Sequence, residues 1–179
     1  MEHNNWPAWA TEAIIIEPYN PKWPLDAFTL IAELKYLYNF GDVIFEHVGS
    51  TAVPGLPSKP VIDLIAPVVN FDDLNAITTS LTEKDWHLIP PDLDKRDYRR
   101  TFIKVLNNKR FAHLHLVLDG SDELHHHIKF RDILRQDTML ANEYARLKMG
   151  LAKEYKDDRE KYTEAKAGFI KAALQKYLL

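Results

Sequence analysis

The segment EHVGSTAVPGLPSKPVIDLIA, residues 46–66, joins a glycine turn to a strand that carries one acidic residue. Residues 43–48 are largely apolar and predict a buried strand, after which Gly49 lets the backbone turn closely. Residues 61–68 form a second β-branched run, interrupted by Asp63. An ionised carboxylate in such a strand is unfavourable unless a metal ion, a ligand or hydrogen-bond donors compensate it. The segment therefore predicts a functional site between two strands.

The composition is that of one globular domain. With 46 % hydrophobic residues, the 179 residues can bury most of their apolar surface, and we expect residues 1–179 to form a single domain. The net charge of −3 does not favour nucleic acid as a partner, and the absence of cysteine excludes disulfides and cysteine-ligated zinc. No apolar run reaches the roughly 20 residues that span a bilayer, and the N-terminus MEHNN lacks the regions of a signal peptide. We expect a cytoplasmic protein without a membrane partner.

The prolines divide the chain into two parts. All ten lie at or before Pro91, so long helices are expected after it. In the first part, residues 25–40 show helical spacing that ends at Gly41, and residues 72–81 predict a second helix. The predicted inward face of the first helix consists of Phe28, Ile31, Leu34, Leu37 and Tyr38.

The second part begins with strands and ends with helices. Residues 98–105 and 111–118 alternate in polarity, and Asn107-Asn108 between them predicts a hairpin turn. From Ser121 the pattern is helical, with two apolar stripes that predict a pair of helices packed against the sheet. The fold class predicted is α/β (α+β). The first stripe is Leu140, Tyr144, Leu147, Leu151 and Tyr155, and the second is Tyr162, Ala165, Phe169, Ile170, Ala173, Leu174 and Tyr177.

Several separated motifs together resemble the GrpB-like family of uncharacterised bacterial proteins. The motifs are EHVGSTAVPGL-KP-ID at 46–63, PYNPKW at 18–23, HLHLV at 113–117, FRDILR at 130–135, EYARLK at 143–148 and YTEAKAGFI at 162–170. This family is placed in the nucleotidyltransferase superfamily. The resemblance therefore implies a nucleotidyltransferase-like mixed sheet flanked by helices, with a C-terminal helical pair.

The superfamily pattern is a strand, Gly-Ser, a short linker, and a strand with Asp-x-Asp or Asp-x-Glu. Gly49, Ser50 and Asp63 match this pattern. The second acidic position falls on Ile65, which cannot bind a metal ion, so the chain lacks one carboxylate of the usual two-metal mechanism.

The turn is the candidate phosphate site. Gly49, Ser50 and Thr51 can present backbone N–H groups and hydroxyls to an anion, although an ordinary tight turn would have the same sequence. The segment is not a P-loop, because it lacks the Gly-x4-Gly-Lys order and its nearby lysine, Lys59, precedes a proline. Asp63 is the candidate ligand of Mg²⁺ or Mn²⁺. The alternative is a structural carboxylate that accepts hydrogen bonds from the turn.

Histidines provide further candidates. His113 and His115 lie two apart on a predicted strand and so point to the same side. By the resemblance, this strand lies where the superfamily carries its third acidic residue, and histidine there favours a softer metal or phosphate binding. His47 can join them. The alternative is one hydrogen-bonded core histidine and one surface histidine. Residues 125–127 are consecutive histidines that we interpret as a solvated helix face, since they spread through about 200°.

Basic residues complete the predicted site. The candidate nucleotide and phosphate ligands are Gly49, Ser50, Thr51, Lys59, Arg131, Lys148 and Lys166, the candidate metal ligands are Asp63, His113, His115 and His47, and the candidate catalytic residues are Asp63 and His115. Arg131 with Asp132 can equally form an interhelical ion pair. Residues 92–110 hold seven basic and three acidic side chains, which we interpret mainly as a solvated strand face.

Three functions remain open on the sequence. The first is transfer of a nucleotidyl group to a small acceptor, and the second is a nucleotide- or coenzyme A-binding module without transfer. The family resemblance favours the second, because members are known as segments fused to dephospho-coenzyme A kinase, which implies a coenzyme A or adenine-nucleotide ligand. The third is a metal-dependent hydrolase with His47, His113 and His115 as ligands. Fold alone does not decide among these functions.

Overall fold

The computed structural model describes residues 7–177, which form a five-stranded sheet flanked by helices. The strands are β1 (Glu46–Val48), β2 (Ile62–Val68), β3 (Trp86–Leu88), β4 (Arg99–Leu106) and β5 (Lys109–Leu118). Their order across the sheet is β1-β2-β5-β4-β3. Strands β2 and β5 are parallel, and the other neighbours are antiparallel. The predicted α/β class with a mixed sheet is confirmed.

Strand β1 is shorter than the sequence predicted. Residues 43–45 precede it, and Ile44 is exposed. Phe45 still packs into the core, where its ring meets Phe40 edge to face at 5.1 Å. Apolar residues alone therefore did not mark the beginning of the strand, because this segment buries side chains without pairing its backbone.

Strands β4 and β5 form the predicted hairpin. Asn107 and Asn108 have φ angles of 51° and 59°, a left-handed conformation that asparagine adopts more readily than most residues. The pairing register shifts between Lys104 and Val105, which marks a β-bulge. Beyond the bulge, each residue of β4 faces a partner one position further along β5 than the turn alone would give.

Helix α1 (Trp23–Leu37) packs on one face of the sheet. Its first turn contains Pro24 and Asp26 and its last turn contains Lys35, which suits the free N–H groups and the dipole of a helix. The helix ends at Leu37, before the predicted stop at Gly41.

The inward face of α1 differs from the predicted one. Phe28 is 71 % exposed, whereas Leu34 is fully buried as expected. Only one stripe can face the sheet, and the stripe with spacings of 4, 3 and 4 contains the large Trp23 and the small Ala27. Phe28 lies about 100° round the helix from Ala27 and so points to solvent. The buried residues of α1 are Trp23, Ala27, Leu30 and Leu34.

Helix α2 (Leu74–Thr82) confirms the second predicted helix and lies on the same side as α1. It buries Ile77 and Leu81. Together α1 and α2 cover one set of alternate residues of the central strands, including Leu64, Phe102 and Leu114. A short helix, α3 (Pro91–Asp94), connects β3 to β4.

Three helices follow the sheet: α4 (Asp122–Gln136), α5 (Thr138–Glu154) and α6 (Arg159–Lys176). Helices α5 and α6 are the predicted C-terminal pair, but their main contacts are with each other and with α4, and it is α4 that packs on β1 and β2 of the sheet. The Asp137 and Asp158 side chains cap α5 and α6 by accepting hydrogen bonds from backbone N–H groups. Among the described residues, no helix is long and apolar enough to cross a membrane.

The face of α1 gives a stability test. We expect Leu34→Ala to lower the free energy of unfolding by about 2–5 kcal/mol, because it removes a fully buried side chain. Phe28→Ala, on the same helix, should change it by less than about 0.5 kcal/mol, since Phe28 is exposed. Urea unfolding of both variants measures this difference, and an equal effect would contradict the assignment of the two faces.

Candidate functional site

Gly49 lies against the carboxylate of Asp63. The antiparallel pairing of β1 with β2 sets Val48 opposite Asp63, so the next residue turns directly beside that side chain. Gly49 has φ 72° and ψ −172°, a conformation that residues with a Cβ almost never adopt. A Cβ at this position would lie 2.5 Å from Asp63 Oδ2. The glycine is therefore needed both for the turn and for the approach of the carboxylate.

Asp63 hydrogen-bonds to His113 on the neighbouring parallel strand. The register places the two residues side by side, and His113 Nδ1 lies 2.9 Å from Asp63 Oδ1. Burial alone would raise the pKa of Asp63, but the hydrogen bond and the nearby positive charges outweigh it and hold the pKa well below its usual range. The Asp63 side chain remains 31 % exposed, so solvent reaches the space around it, which we call the recess. The alternative of a carboxylate held by the turn is not the arrangement seen here.

His115 completes a cluster with Asp63 and His113. One possible ligand atom from each of the three residues lies within 4.8 Å of the others. Burial lowers the pKa of His115 to about 3 and also lowers that of His113, so both imidazoles are neutral and have a lone pair. His113 Nε2 is buried without a hydrogen-bond partner among the described residues. A carboxylate and two neutral imidazoles, one of which is His113 with this free Nε2, are a suitable set of ligands for a divalent ion.

Ile65 occupies the position at which the superfamily pattern has a second carboxylate. It follows Asp63 by two residues and so lies on the same face of β2. Ile65 is fully buried with Val48 and Val117, and Leu124 and Ile128 of α4 cover them. An apolar layer therefore occupies the place of a second metal site.

Three lysines surround this cluster. The Asp63 carboxylate acts to raise the pKa of Lys59, Lys148 and Lys166, so it lies within Coulombic range of all three. Burial nevertheless lowers the pKa of Lys59 and Lys148 to about 7 and that of Lys166 to about 8, and mutual repulsion adds to this. In residues 7–177, the lysines that do pair with carboxylates lie elsewhere; they are Lys95, Lys104 and Lys161.

Tyr162 and Pro57 hold the lysines in place. The ammonium groups of Lys59 and Lys166 lie 5.2 and 4.4 Å from the centre of the buried Tyr162 ring. Lys148 Nζ donates to the carbonyl of Pro57 at 2.5 Å. These contacts hold the three amino groups near one another, and within residues 7–177 none of them forms an ion pair with a carboxylate.

Two arginines that the sequence analysis did not single out extend the positive field. Arg110 and Arg159 both contribute to lowering the pKa of Lys59. Arg159 binds Glu12 through Nη2 at 3.3 Å, while its Nε and Nη1 are buried without partners in the described part of the chain. Burial lowers the pKa of Arg110 to about 10. Arg110 lies on β5 and Arg159 on α6, far apart in the sequence, so only the folded structure shows that both lie near Lys59.

Other predicted residues lie around the cluster rather than in it. Burial lowers the pKa of His47 to about 4 and the Asp63 carboxylate acts against this, so His47 is within Coulombic range of Asp63. His47 Nε2 contacts Thr51 Oγ1 at 2.9 Å, and His47 does not belong to the Asp63 group of possible metal ligands. Arg131 binds Glu46 at 2.7 Å, Asp132 at 2.8 Å and the carbonyl of His47 at 3.0 Å. This set of partners is that of a structural ion pair joining α4 to β1. Ser50 lies beside the buried Tyr144 hydroxyl.

His127 links the cluster to an open surface. Its ring stacks on that of His115, with centroids 6.0 Å apart and planes inclined by 23°. Of the three consecutive histidines, it is therefore the one that approaches the site. A concavity of about 670 Å³ lies beside it and is lined in part by Tyr98, Glu123 and His126.

A family model described as GrpB protein matches residues 13–176 of this chain. The glutamate-rich protein GrpB of Alkalihalophilus pseudofirmus is 30 % identical over 127 residues, which are 70 % of this chain and 73 % of that protein. YqkA of Bacillus subtilis is 30 % identical over 156 residues, or 87 % of this chain. The match spans only 44 % of the length of YqkA.

Solved structures share the fold. GrpB from Enterococcus faecalis superposes with a TM-score of 0.80 at 28 % identity, over 92 % of this chain and all of that one. The Cid1 poly(U) polymerase, solved with Mg 3′-dATP, gives a TM-score of 0.54 at 14 % identity, over 77 % of this chain and 43 % of that one. The predicted nucleotidyltransferase-like fold is confirmed.

Gly49 allows a test of its contact with Asp63. Gly49→Ala should destabilise the protein by more than the roughly 1–3 kcal/mol that its backbone conformation costs a residue with a Cβ, because the new methyl group meets Asp63 Oδ2. Gly55→Ala is the matched control, since Gly55 has φ +79° but no atom within 4 Å of its would-be Cβ. Thermal and urea unfolding compare the variants. Equal losses would show that the contact with Asp63 is unimportant.

The lysines predict opposite pH effects on stability and on anion binding. The pKa of Lys59 and Lys148 is about 7 in the folded protein and ordinarily 10.5. Between these pH values the unfolded chain therefore binds more protons than the folded protein. The free energy of unfolding of the ligand-free protein should therefore gain a contribution that rises with pH over this range. If these lysines bind an anion such as ATP, its affinity should instead fall with pH, by about tenfold or more for one charge-assisted hydrogen bond of roughly 1.5–3 kcal/mol.

Two lysine variants control this experiment. Lys59→Met should reduce both pH effects, whereas Lys171→Met should leave them unchanged because Lys171 is exposed on α6. Calorimetric titration with ATP and urea unfolding at pH values from 7 to 10 provide the two curves. Affinity that is independent of pH would remove the lysines from the binding site.

Proposed function

This chain belongs to the GrpB family, and we propose that it binds the phosphate groups of a nucleotide or a coenzyme A-related ligand in the recess around Asp63. One observation supports this above all: Lys59, Lys148 and Lys166 meet there without carboxylate partners among the described residues. A concentration of unneutralised ammonium groups suits a ligand with several negative charges. The Gly49-Ser50 turn at the edge of the recess adds a second means of contacting phosphate oxygens.

The residues divide the work of binding. Lys59 and Lys166 lie over Tyr162, so their ammonium groups are fixed in position before a ligand arrives. A phosphate between them would relieve their mutual repulsion and raise their pKa values towards the ordinary range. Two guanidinium nitrogens of Arg159 have no partner within residues 7–177, and this arginine adds to the same field.

Asp63, His113 and His115 would hold a divalent ion. The two imidazoles favour Mn²⁺ over Mg²⁺, because Mg²⁺ prefers oxygen ligands and imidazole suits softer ions. When bound, such an ion neutralises charge on the phosphate oxygens. Asp63 would also balance part of the charge of the three lysines, while Glu12 pairs with Arg159.

Transfer of the nucleotidyl group to a small acceptor is the reaction that this arrangement would serve. The concavity of about 670 Å³ beside His127 is large enough for a small acceptor, and the stacked rings of His127 and His115 connect it to the recess. The nucleotidyltransferase-like fold agrees with this reaction without establishing it.

A binding module without transfer is the second candidate. It is favoured by Ile65, which is buried in an apolar layer where a second carboxylate would support a second metal ion. The chain can then bind a metal-nucleotide complex but stabilises the charge of transfer poorly. We therefore propose that binding is the main property and that turnover is slow.

Asp63→Asn tests the proposal. ATP and coenzyme A should raise the melting temperature of the wild-type protein, and more so with Mn²⁺, because a ligand of the native state stabilises it. Asp63→Asn should abolish the Mn²⁺-dependent part of that rise and leave a folded protein. Asp72→Asn is the control, since Asp72 is exposed and lies just before α2, which packs on the face of the sheet opposite Asp63. If neither ligand shifts the melting temperature in any condition, the proposal is wrong.

Incubation with labelled nucleoside triphosphates, Mn²⁺ and a metabolite pool separates the two candidates. Product formed by the wild-type protein and lost in Asp63→Ala would support transfer. Binding without product would support the module. A nucleoside diphosphate released without an adduct would instead indicate hydrolysis.

A further inference from the structure

Thr101 lies between a buried carboxylate and His115. The register of β4 and β5 places Thr101 opposite His115, and the Thr101 hydroxyl lies 3.1 Å from His115 Nδ1. The same hydroxyl lies 2.9 Å from Oδ2 of Asp94, the last residue of α3. Thr101 and Asp94 are both buried. A hydroxyl has only one hydrogen, so it can donate to only one of these neighbours.

The state of Asp94 decides where that hydrogen goes. Arg99 holds the Asp94 carboxylate through Nε, 3.2 Å from both oxygens, and through Nη2 to Oδ1. Burial alone would raise the pKa of Asp94, but the hydrogen bond and charge of Arg99 outweigh it and lower the pKa. An ionised carboxylate can only accept hydrogen bonds. The Thr101 O–H therefore donates to Asp94.

The consequence reaches His115. Because the hydrogen of Thr101 is directed to Asp94, its oxygen offers His115 only a lone pair, and the short contact requires a proton on His115 Nδ1. Nε2 of the neutral ring then carries the free lone pair. Outer partners that set the tautomer of a histidine in this way are typical of metal sites.

We propose that Arg99, Asp94 and Thr101 act as a positioning chain that fixes His115 in the Nδ1–H tautomer and so presents Nε2 as a metal ligand. The metal part of this inference rests on the proposed function, in which His115 shares an ion with Asp63 and His113. The tautomer itself does not depend on any ligand. None of the three residues of the chain touches the ion; they act through His115.

Glu123 ties this chain to the helical layer. Arg99 Nη1 donates to Glu123 Oε1 at 2.6 Å, so the arginine bridges Asp94 of α3 and Glu123 of α4. Glu123 also lies 3.6 Å from His127, whose ring stacks on His115. His115 is therefore contacted on one side by the Thr101 hydroxyl and on another by the ring of His127, which lies beside Glu123.

The first measurement reads the tautomer directly. Nitrogen-15 chemical shifts of the histidine rings in the metal-free wild-type protein should show His115 protonated at Nδ1. Thr101→Val should convert His115 to a mixture of tautomers, whereas Thr101→Ser, which keeps the hydroxyl, should retain the Nδ1–H form. Thermal unfolding of each variant checks that the fold is preserved.

The second measurement reads metal affinity. Titration with Mn²⁺ or Co²⁺ should show binding weakened about 10–100-fold in Thr101→Val and largely restored in Thr101→Ser. An Nε2–H signal in the wild-type protein, which needs no variant, overturns the inference. The expected tautomer without any metal binding overturns instead the metal site of the proposed function. Unchanged affinity in Thr101→Val overturns the positioning role alone.

Discussion

A carboxylate at the centre of a sheet must be compensated, and the compensation of Asp63 organises everything that faces it. His113 supplies a hydrogen bond from the adjacent strand, and Gly49 supplies the space that the carboxylate occupies. The lysines of the recess supply an excess of positive charge. Without the Asp63 charge these lysines would lose an attraction that raises their pKa values, and they would give up their protons more readily.

The two faces of the central strands separate stability from chemistry. Leu64 and Leu114 face α1 and α2 in the largest apolar core of the described residues, while Asp63 and His113 alternate with them on the opposite face. This division lets the protein keep strained and charged groups at the site, because the packing on the other side does not depend on them. Ile65 lies on the same face as Asp63 but belongs to an apolar cluster, so the polar part of that face ends there.

The sequence predicted β1, β2, β4 and β5, the hairpin and the histidine pair, because alternation and turn residues are local signals, but it did not predict the three-residue β3. It did not predict which residue of β4 faces His115. Counting from the Asn107-Asn108 turn without a bulge pairs Thr101 with Leu114, which lies on the other face, and the register shift at Lys104 brings Thr101 opposite His115 instead. The chain from Arg99 to His115 thus depends on one extra residue in a strand.

The positive field around Asp63 was visible in the sequence only through family motifs. Lys148 and Lys166 lie on different helices, and neither helical spacing nor charge counts place them beside a strand that begins much earlier in the chain. Arg159 was missed for the same reason. Burial of a lysine is a property of how helices pack on each other, so local sequence patterns do not report it.

Because those lysines come from α5 and α6, the charge of the recess arises only when the helical layer docks on the sheet. Docking buries the three lysines and brings Lys148 and Lys166 towards Lys59, which lowers the pKa of each, so in the empty protein docking is opposed by desolvation and by electrostatic repulsion. A bound polyanion removes that opposition and joins the two layers. The C-terminal helices should then open less often when ligand is present. Ligand should therefore slow amide hydrogen exchange more in α5 and α6 than in α1.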